Sequence, residues 1–231
     1  MSLGVPHRHF SRCDSTNART RELAAAGAPN GTVVTADEQT EGQGRQGRAW
    51  VAPRGRALLY SLLLRPLGKR PLLPLATALA VCETAEGLAP GIACKVKWPN
   101  DIQLEGRKLA GILIEARPQD DWAVIGVGLN LTITPEEFPP ELRDIATSLN
   151  SGASADAARA SLDINLTHWI EENADSILVA WEARDALRGR EVAWDGGSGV
   201  AGGVDGRGNL IVATSSGGTV TLNAGEVHLS A

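Results

Sequence analysis

Residues 94–116 read CKVKWPNDIQLEGRKLAGILIEA, and they indicate a sheet. Two runs within it, CKVKW from Cys94 and KLAGILIEA from Lys108, have the apolar content and the length of strands. A third strand-like run, WAVIGVGLNLT, follows from Trp122. A short polar segment joins the first two runs, so we expect them to be antiparallel neighbours. The stretch therefore predicts part of a sheet.

Helix and strand patterns extend on both sides of this stretch. Upstream, Ser15 is a predicted N-cap for a helix that ends at Gly27, and a second helix starts at Leu73 and ends near Pro90. Strands are predicted for GTVVTA (31–36) and ALLYSLLL (57–64). Downstream, residues 156–188 are predicted to be helical, with one apolar face. The fold class is therefore α/β (α+β), with a mixed sheet flanked by helices.

The sequence changes character at Gly189. Glycines become dense, and five short β runs follow at close spacing: EVAW, GVAGGV, NLIVAT, TVTL and EVHL. This pattern predicts a small barrel or sandwich. We accordingly divide the chain into a large α/β domain, residues 1–188, and a small β domain, residues 189–231.

Composition excludes several classes of protein. The 231 residues are 43% hydrophobic and 21% charged, with a net charge of −5, which argues against a general nucleic-acid binder. Cys13, Cys82 and Cys94 are odd in number and widely spaced, so neither a disulfide framework nor a zinc site is indicated. No apolar run is long enough to span a membrane. We expect a cytoplasmic protein with reduced thiols.

One segment of this acidic chain is strongly basic. Residues 42–82 contain no Asp or Glu. Their basic residues are Arg45, Arg48, Arg54, Arg56, Arg65, Lys69 and Arg70. A solvated basic surface is one interpretation, but the first arginines lie among glycines, so we favour an anion site.

Residues 42–50, GQGRQGRAW, form a segment that we call the glycine-rich loop. It matches G-x-G-x-x-G, but Pro53 and Gly55 follow where a dinucleotide site needs a helix, and no acidic residue follows at the ribose position. The chain also has no P-loop motif. What remains is a loop whose backbone N–H groups, with Arg45 and Arg48, can hold a phosphate. The alternative is an ordinary flexible turn.

Three further features are ambiguous when taken alone. KWPND (97–101) is typical of a strand that ends in a turn, and Lys108 of a solvated lysine. Gly126 and Gly128 lie within a predicted strand, which indicates that something packs closely on the backbone there. The glycines are explained either by a flat ring, such as adenine, that packs on them or by a β-bulge in the strand.

Taken together, the motifs resemble the catalytic domain of biotin–protein ligases, in their order and spacing. The shared segments are Ser15-Thr16-Asn17, Gln39, GQGRQGRAW, KWPND, RKLAG and GVGLN. The resemblance covers nearly the whole chain, and KWPND with RKLAG is its most specific part. Gln43 departs from it, because many relatives carry arginine there. The resemblance implies a class II synthetase-like catalytic domain followed by an SH3-like β-barrel.

The resemblance also implies a reaction and a set of residues. Biotin and ATP form biotinyl-5′-AMP, and a lysine of a biotin carrier protein then takes the biotinyl group, with Mg²⁺ assisting. The implied catalytic residues are Lys108, Arg45 and Asp101. The implied biotin-binding residues are Ser15, Thr16, Asn17, Gln39, Gly42, Gln43 and Gly111. The implied ATP or adenylate residues are Arg45, Arg48, Trp50, Asn100, Lys108, Gly128 and Asn130.

Alternatives and partners remain open from the sequence. A lipoate–protein ligase and a non-catalytic biotin-binding protein are the rival functions, and protein ligands for Mg²⁺ are not indicated. Fourteen residues precede Ser15, fewer than a three-helix DNA-binding unit needs, so we expect the form of the enzyme without a helix-turn-helix. We expect the acceptor to be a carrier domain, such as that of acetyl-CoA carboxylase, and neither nucleic acid nor membrane as a partner. A homodimer is left open.

Overall fold

The computed structural model describes residues 3–223, 225 and 227–229. The α-helices are α1 (Thr16–Ala25), α2 (Leu73–Leu88), α3 (Ala155–Glu171) and α4 (Ala174–Glu182). The strands of the first sheet are β1 (His7–Phe10), β2 (Val33–Ala36), β3 (Ala57–Leu64), β4 (Cys94–Lys97), β5 (Asp101–Leu104), β6 (Arg107–Arg117) and β7 (Trp122–Asn130). The strands of the second sheet are β8 (Glu191–Trp194), β9 (Gly197–Val204), β10 (Leu210–Ala213), β11 (Thr219–Leu222) and β12 (His228–Leu229).

The first sheet has seven strands in the order β1-β2-β3-β7-β6-β5-β4. β1 and β2 are parallel, and every other neighbouring pair is antiparallel. α1 packs against β2, β3 and β7, while α2 packs against β4, β5 and β6. The predicted mixed sheet flanked by helices is therefore confirmed.

Strand β3 is buried on both faces, which explains its unbroken apolar sequence. Side chains alternate along a strand, so neighbours in β3 point to opposite sides. Leu63 packs with Ala24 of α1, whereas the Tyr60 hydroxyl donates to Asp163 Oδ1 of α3 at 2.7 Å. Ser61, which has the parity of Leu63, therefore faces α1.

The predicted pairing of CKVKW with KLAGILIEA is wrong. An additional strand, β5, lies between β4 and β6 and pairs with both. The polar segment that joins the two runs contains this strand and two tight turns. Glu105 and Gly106, at φ 52° and 78°, form the second turn, a backbone shape that glycine favours. β5 escapes detection because only Ile102 of its four residues is buried.

The predicted helix over residues 156–188 is two helices. α3 ends at Glu171 and α4 begins at Ala174, with Asn173 between them as the N-cap of α4. Asn173 Oδ1 accepts from Ser176 N–H at 2.9 Å. This cap satisfies a donor that a new helix start leaves open, and it favours the break.

The five strands after α4 form an antiparallel sheet in the order β11-β10-β9-β8-β12. Among the described residues nothing pairs β11 with β12, so closure into a barrel stays a prediction. Glu226 of the predicted run EVHL lies outside the described residues, as do residues 1, 2, 224, 230 and 231.

The two sheets share one hydrophobic core. Val192 of β8 and Leu210 of β10 belong to the same buried cluster as α2 and the first sheet. Trp98 Nε1 donates to the carbonyl oxygen of Gly208 at 3.0 Å, which ties the turn after β4 to the second sheet. In the part of the chain that the structure describes, no helix is long and apolar enough to cross a membrane.

Candidate functional site

Lys108 and Asp101 face each other from neighbouring strands. Lys108 Nζ lies 2.7 Å from Asp101 Oδ1. The pairing of β5 with β6 skips Leu109, which is therefore the extra residue of a β-bulge. In a regular strand Lys108 and Gly111 would point to opposite faces, because side chains alternate. The bulge brings them to one face, where a Cβ on Gly111 would lie 3.3 Å from Lys108 Cε.

The indole of Trp50 covers two glycines of the sheet. A Cβ on Gly128 would overlap the indole, and a Cβ on Gly111 would lie 3.0 Å from Trp50 Cζ3. Lys108 Nζ lies 5.8 Å from the centroid of the indole, within the range of a cation–π interaction. Trp50 Nε1 is buried without a hydrogen-bond partner in the described part of the chain. The glycines thus make room for an aromatic surface beside the charge of Lys108.

The glycine-rich loop folds back on itself. Trp50 N–H donates to the carbonyl oxygen of Gly42 at 2.8 Å, and Gly44 N–H donates to that of Arg48 at 2.7 Å. Between these bonds, Arg45–Gly47 form one short 3₁₀ turn. The loop does not begin a long helix, which agrees with rejecting a dinucleotide fingerprint.

Arg45 links this loop to the KWPND turn. Arg45 Nη1 donates to Asn100 Oδ1 at 3.2 Å. Asn100 Nδ2 in turn donates to the carbonyl oxygen of Ile112 at 3.1 Å. A small cavity between loop and turn is lined by Arg45, Arg48, residues 97–101 and, from between β11 and β12, Gly225 and Val227.

A larger cavity of about 650 Å³ lies against the glycine-rich loop. Residues 41–49 line one side, and Leu113 and Glu115 of β6 line the other. Its volume is in the range of small-molecule sites. Gly42 and Gln43, both predicted to contact biotin, are in its wall, as are Arg45 and Arg48.

Four of the other predicted biotin residues gather at the start of α1, while the fifth, Gly111, lies on β6 under the indole of Trp50. Ser15 is the N-cap of this helix, and Thr16 and Asn17 form its first turn. Gln39 Oε1 accepts from Thr16 N–H at 2.7 Å and from Thr16 Oγ1 at 3.0 Å. Ser15, Thr16 and Asn17 are all buried. The structure therefore brings these four residues together.

Three residues that the sequence did not single out complete this polar cluster. Ser61 Oγ lies 2.8 Å from Thr16 Oγ1 and 2.6 Å from Asn17 Oδ1. Asn17 Nδ2 donates to Glu115 Oε2 at 2.7 Å, and Arg21 Nη1 lies 2.6 Å from both oxygens of Glu115. The sequence carries one signal for Ser61, a small polar residue inside the apolar run ALLYSLLL. It carries none for Glu115 and Arg21, which are 94 positions apart.

The close packing predicted at the glycines of β7 is confirmed. A Cβ on Gly126 would overlap Asn17 Oδ1, as one on Gly128 would overlap Trp50. The alternative of a bulge is wrong, because the pairing of β7 with β3 and β6 is regular there. The flat ring on Gly128 is the indole of this chain. Asn130, the last residue of β7, is buried and donates to the carbonyl oxygen of Thr147 at 2.9 Å.

The basic segment does not form one surface. Arg54 and Arg56 make ion pairs, with Asp37 and Glu137 respectively. Arg65 Nη2 donates to the carbonyl oxygen of Ala24, and Arg70 Nη1 to that of Ile170. Of the segment's basic residues, Arg45 and Arg48 are those that line the cavities described here.

The sequence model of the Biotin/lipoate A/B protein ligase family matches residues 9–131 of this chain. The biotin–[acetyl-CoA-carboxylase] ligase of Mycobacterium tuberculosis is 37% identical in an alignment of length 237 that covers 93% of this chain and 86% of that protein. The bifunctional ligase/repressor BirA of Bacillus subtilis is 44% identical in an alignment of length 154 that covers 64% of this chain. That match spans about half, 47%, of the Bacillus protein.

Solved structures show the same architecture. The biotin protein ligase from Aquifex aeolicus in complex with biotin and ATP superimposes with a TM-score of 0.80 at 29% identity. The superposition covers 97% of this chain and 98% of the Aquifex chain. The likeness thus extends over both sheets.

Proposed function

This chain belongs to the biotin/lipoate A/B protein ligase family, and from that premise we propose that it is an ATP-dependent biotin–protein ligase. It activates biotin as biotinyl-5′-AMP and transfers the biotinyl group to one lysine of a biotin carrier protein, such as the carrier subunit of acetyl-CoA carboxylase. One observation carries the proposal. The cations Lys108 and Arg45 converge from separate segments on the KWPND turn, and a neutral cluster of hydroxyl and amide groups lies at the start of α1.

The first step joins two anions, so it needs positive charge near the reacting atoms. A carboxylate oxygen of biotin attacks the α-phosphorus of ATP, the bond to the β-phosphate oxygen breaks, and pyrophosphate leaves. Lys108 would neutralise the carboxylate and the α-phosphate, and Arg45 and Arg48 the phosphates. Trp50, packed on Gly128 and exposing its face beside Lys108, would border the adenine.

The second step needs an uncharged acceptor amine. The amine attacks the acyl carbon of the mixed anhydride, the bond from that carbon to the phosphate oxygen breaks, and AMP leaves. The amine loses a proton in the process. Asp101 would receive this proton or orient the incoming lysine. Its contact with Lys108 supports the role, since a lysine that turns to the phosphate frees the carboxylate.

Mg²⁺ would enter with the nucleotide. Among the described residues no group of three or more His, Cys, Asp or Glu side chains is arranged to hold a metal ion. Mg²⁺ commonly binds phosphates and water with one or two carboxylates, so it fits a site that ATP itself completes. The ion would stabilise the charge that develops on the pyrophosphate.

The roles of the neutral residues follow from their chemistry. Ser15, Thr16, Asn17 and Gln39 offer hydroxyl and amide groups suited to the ureido ring of biotin. Gly42, Gln43 and Gly111 would lie beside biotin, and Asn100 and Asn130 beside the adenylate. Gln43 supplies no charge to the loop, so its cationic function falls to Arg45 and Arg48.

The proposal includes the wider organisation of the protein. We take residues 1–188 as a class II synthetase-like catalytic domain and residues 189–231 as an SH3-like barrel. The five short strands and their dense glycines support the second assignment. A cytoplasmic ligase with no nucleic-acid or membrane partner fits the net charge of −5, and a homodimer stays open.

The test is incubation with biotin, MgATP and a biotin carrier domain. We expect release of pyrophosphate and a mass increase on one lysine of the carrier. A carrier whose acceptor lysine is replaced by arginine is the control, and it should gain no mass. Lipoate in place of biotin tests the rival ligase. Activity with lipoate alone would overturn the assignment, and biotin binding without pyrophosphate would favour a non-catalytic binding protein.

A further inference from the structure

We propose that Ser61, Glu115 and Arg21 are positioning residues that make the site select an acid whose ring carries N–H donors. A cyclic urea is such a ring. A dithiolane ring is not, because it carries no N–H donor. This inference rests on the proposed function and deepens it, because it names what distinguishes the substrate. The residues act through Thr16 and Asn17, which they hold by hydrogen bonds.

One end of the cluster is fixed by the backbone. Thr16 N–H donates to the side-chain amide of Gln39 at 2.7 Å, and only an oxygen can accept it. Gln39 therefore presents Oε1 to Thr16, whichever way the amide might otherwise turn. Thr16 Oγ1 lies 3.0 Å from the same oxygen and is the second donor to it.

The other end is fixed by an ion pair. Arg21 Nη1 lies 2.6 Å from both oxygens of Glu115, and the two side chains form a salt bridge. An ionised carboxylate only accepts, so the group of Asn17 that lies 2.7 Å from it must be the Nδ2 donor. Asn17 Oδ1 is then turned toward Ser61 and toward Gly126, which has no Cβ to obstruct it.

Between these fixed ends the cluster is short of hydrogens. Ser61 and Thr16 make three contacts: Ser61 with Asn17 Oδ1, Ser61 with Thr16, and Thr16 with Gln39 Oε1. Each hydroxyl has one hydrogen, so two hydrogens serve three contacts. Ser61 must donate to Asn17 Oδ1, which has no hydrogen of its own. Thr16 then has a single hydrogen for two acceptors.

The consequence is a site with a surplus of acceptors. Ser61 is 0% exposed and Thr16 is 4% exposed, so bulk water does not supply the missing hydrogen. A hydroxyl hydrogen that turned toward a ligand would leave two contacts without a hydrogen. The oxygens of Thr16, Ser61 and Asn17 therefore accept from a ligand readily, and the two hydroxyls donate to it poorly. A ureido N–H matches this demand, and a ring sulfur or ring oxygen does not.

The cluster adjoins the larger cavity. Glu115 and Leu113 line the cavity, and Asn17 Nδ2 also lies 3.4 Å from the carbonyl oxygen of Leu113. Ser61 reaches Thr16 and Asn17 from beneath, because its position in β3 faces α1. A change at Ser61 thus alters the polarity of the site without removing a side chain from the cavity wall.

The experiment is a binding cycle by calorimetry, with no dependence on turnover. The ligands are biotin and an analogue in which one ureido N–H is replaced by oxygen, a cyclic carbamate. The wild type should bind the analogue about 10²-fold more weakly than biotin or worse, since unpaired buried acceptors discriminate strongly. In Ser61→Ala, a Thr16 hydrogen that turns to the ligand leaves only the contact of Thr16 with Gln39 Oε1 without a hydrogen. The analogue penalty should therefore fall by about tenfold, and biotin should bind about tenfold more weakly.

Two controls separate positioning from general damage. Thr77→Ala removes another hydroxyl that is 0% exposed, bonded to the carbonyl oxygen of Leu73 in α2. Glu86→Gln alters a similar carboxylate–arginine pair, at 2.6 Å from Arg184. Both should leave the ratio of the two affinities within about twofold of wild type. Glu115→Gln, in which the amide no longer dictates the orientation of Asn17, should reduce that ratio.

Each outcome is decisive. A Ser61→Ala protein that keeps the full discrimination overturns the inference, even if it binds both ligands more weakly. If that variant fails to fold, Ser61→Cys, which keeps the shape with a weaker donor, and Glu115→Gln carry the test under the same criterion. A wild type that does not bind biotin overturns the proposed function as well, and a wild type that binds biotin but accepts the carbamate equally overturns this inference alone.

Discussion

Lys108 makes two contacts that fix where its charge lies, one with Asp101 at 2.7 Å and one with the face of Trp50. Replacing it with alanine removes the charge proposed to bridge the carboxylate and the α-phosphate. We expect Lys108→Ala to lower the rate of biotinyl-5′-AMP formation by about 10²-fold, the scale for losing one preorganised donor. Pyrophosphate release measures the rate. Lys95→Ala, on strand β4 of the same sheet, is the control, and near-normal release from Lys108→Ala would mean that Lys108 has only an ordinary surface role.

Arg45 belongs to the loop that borders both cavities, so it is placed to retain the reactive intermediate. Arg45→Gly removes a charge-assisted contact worth about 1.5–3 kcal/mol, and activated biotin should escape. Biotinylation of added albumin should then rise at equal adenylate production. Arg54→Gly, which loses an ion pair to Asp37 outside the loop, should not raise it. Unchanged albumin labelling would exclude Arg45 from covering the intermediate.

The indole of Trp50 fills the space that a side chain at position 128 would need, so any side chain there must displace the indole. We expect Gly128→Ala to lower the free energy of unfolding by about 1–3 kcal/mol, the range for overpacking, and to raise the KM for ATP. Gly87→Ala is the matched control. Nothing lies within 4 Å of a Cβ on this α2 glycine, and alanine favours a helix, so stability should rise. An unchanged KM for ATP would show that Trp50 does not contact the nucleotide.

The sequence identified residues whose chemistry is visible in a motif, and it missed those that act through others. Lys108, Asp101 and Arg45 lie in short segments with unusual composition, and the structure brings them to one place. Ser61, Glu115 and Arg21 belong to ordinary strand and helix patterns. Their function depends on distances across β3, β6 and α1, which no local pattern encodes. The bulge at Leu109 that aims Lys108 is equally invisible, since the run KLAGILIEA is continuous.

Helix α1 begins with a pH-sensitive contact. Hydrogen bonds from Arg19 lower the pKa of Asp14, and the Ser15 N–H adds to this effect. A lowered pKa in the folded state contributes stability above the unfolded pKa and loses it as the pH falls through the folded value. Wild type should exceed Asp14→Asn by about 1 kcal/mol or less at pH 6, and the difference should vanish as the pH falls below about 4.

Urea unfolding at several pH values measures this difference. Arg19→Gln is the control, because the same substitution at Asp14 in that background should have a smaller effect. A stability difference between wild type and Asp14→Asn that persists unchanged at low pH would show that Asp14 acts by packing and not by charge.

At the scale of elements, long apolar runs were predictable and short half-exposed ones were not. β3 and α2 match their predicted bounds because burial imposes a largely apolar sequence on both. β5 has four residues with one buried, so its pattern cannot be distinguished from that of a turn. The break between α3 and α4 depends on one cap at Asn173, while the apolar face continues through it.

The whole molecule has one hydrophobic core that includes both sheets. We therefore expect a single cooperative unfolding transition, with circular dichroism and tryptophan fluorescence superimposing. Trp98→Phe loses the hydrogen bond from Nε1 to the carbonyl oxygen of Gly208. It should lower the free energy of unfolding by about 1 kcal/mol and so lower the midpoint of the transition. Two resolved transitions in the wild type would mean that the sheets unfold as independent units.

The bond from Trp98 to Gly208 also limits how such proteins can be recombined. Gly208 lies in a turn at φ 81°, against Leu72 and Leu75, so its carbonyl oxygen is held in place by the helix that begins there. A chimera that grafts the C-terminal strands of another ligase must reproduce that turn as well as the strands. Otherwise the KWPND segment loses an anchor, and with it the alignment of Asp101. Splice sites chosen only in the linker before β8 should therefore yield folded but poorly active hybrids.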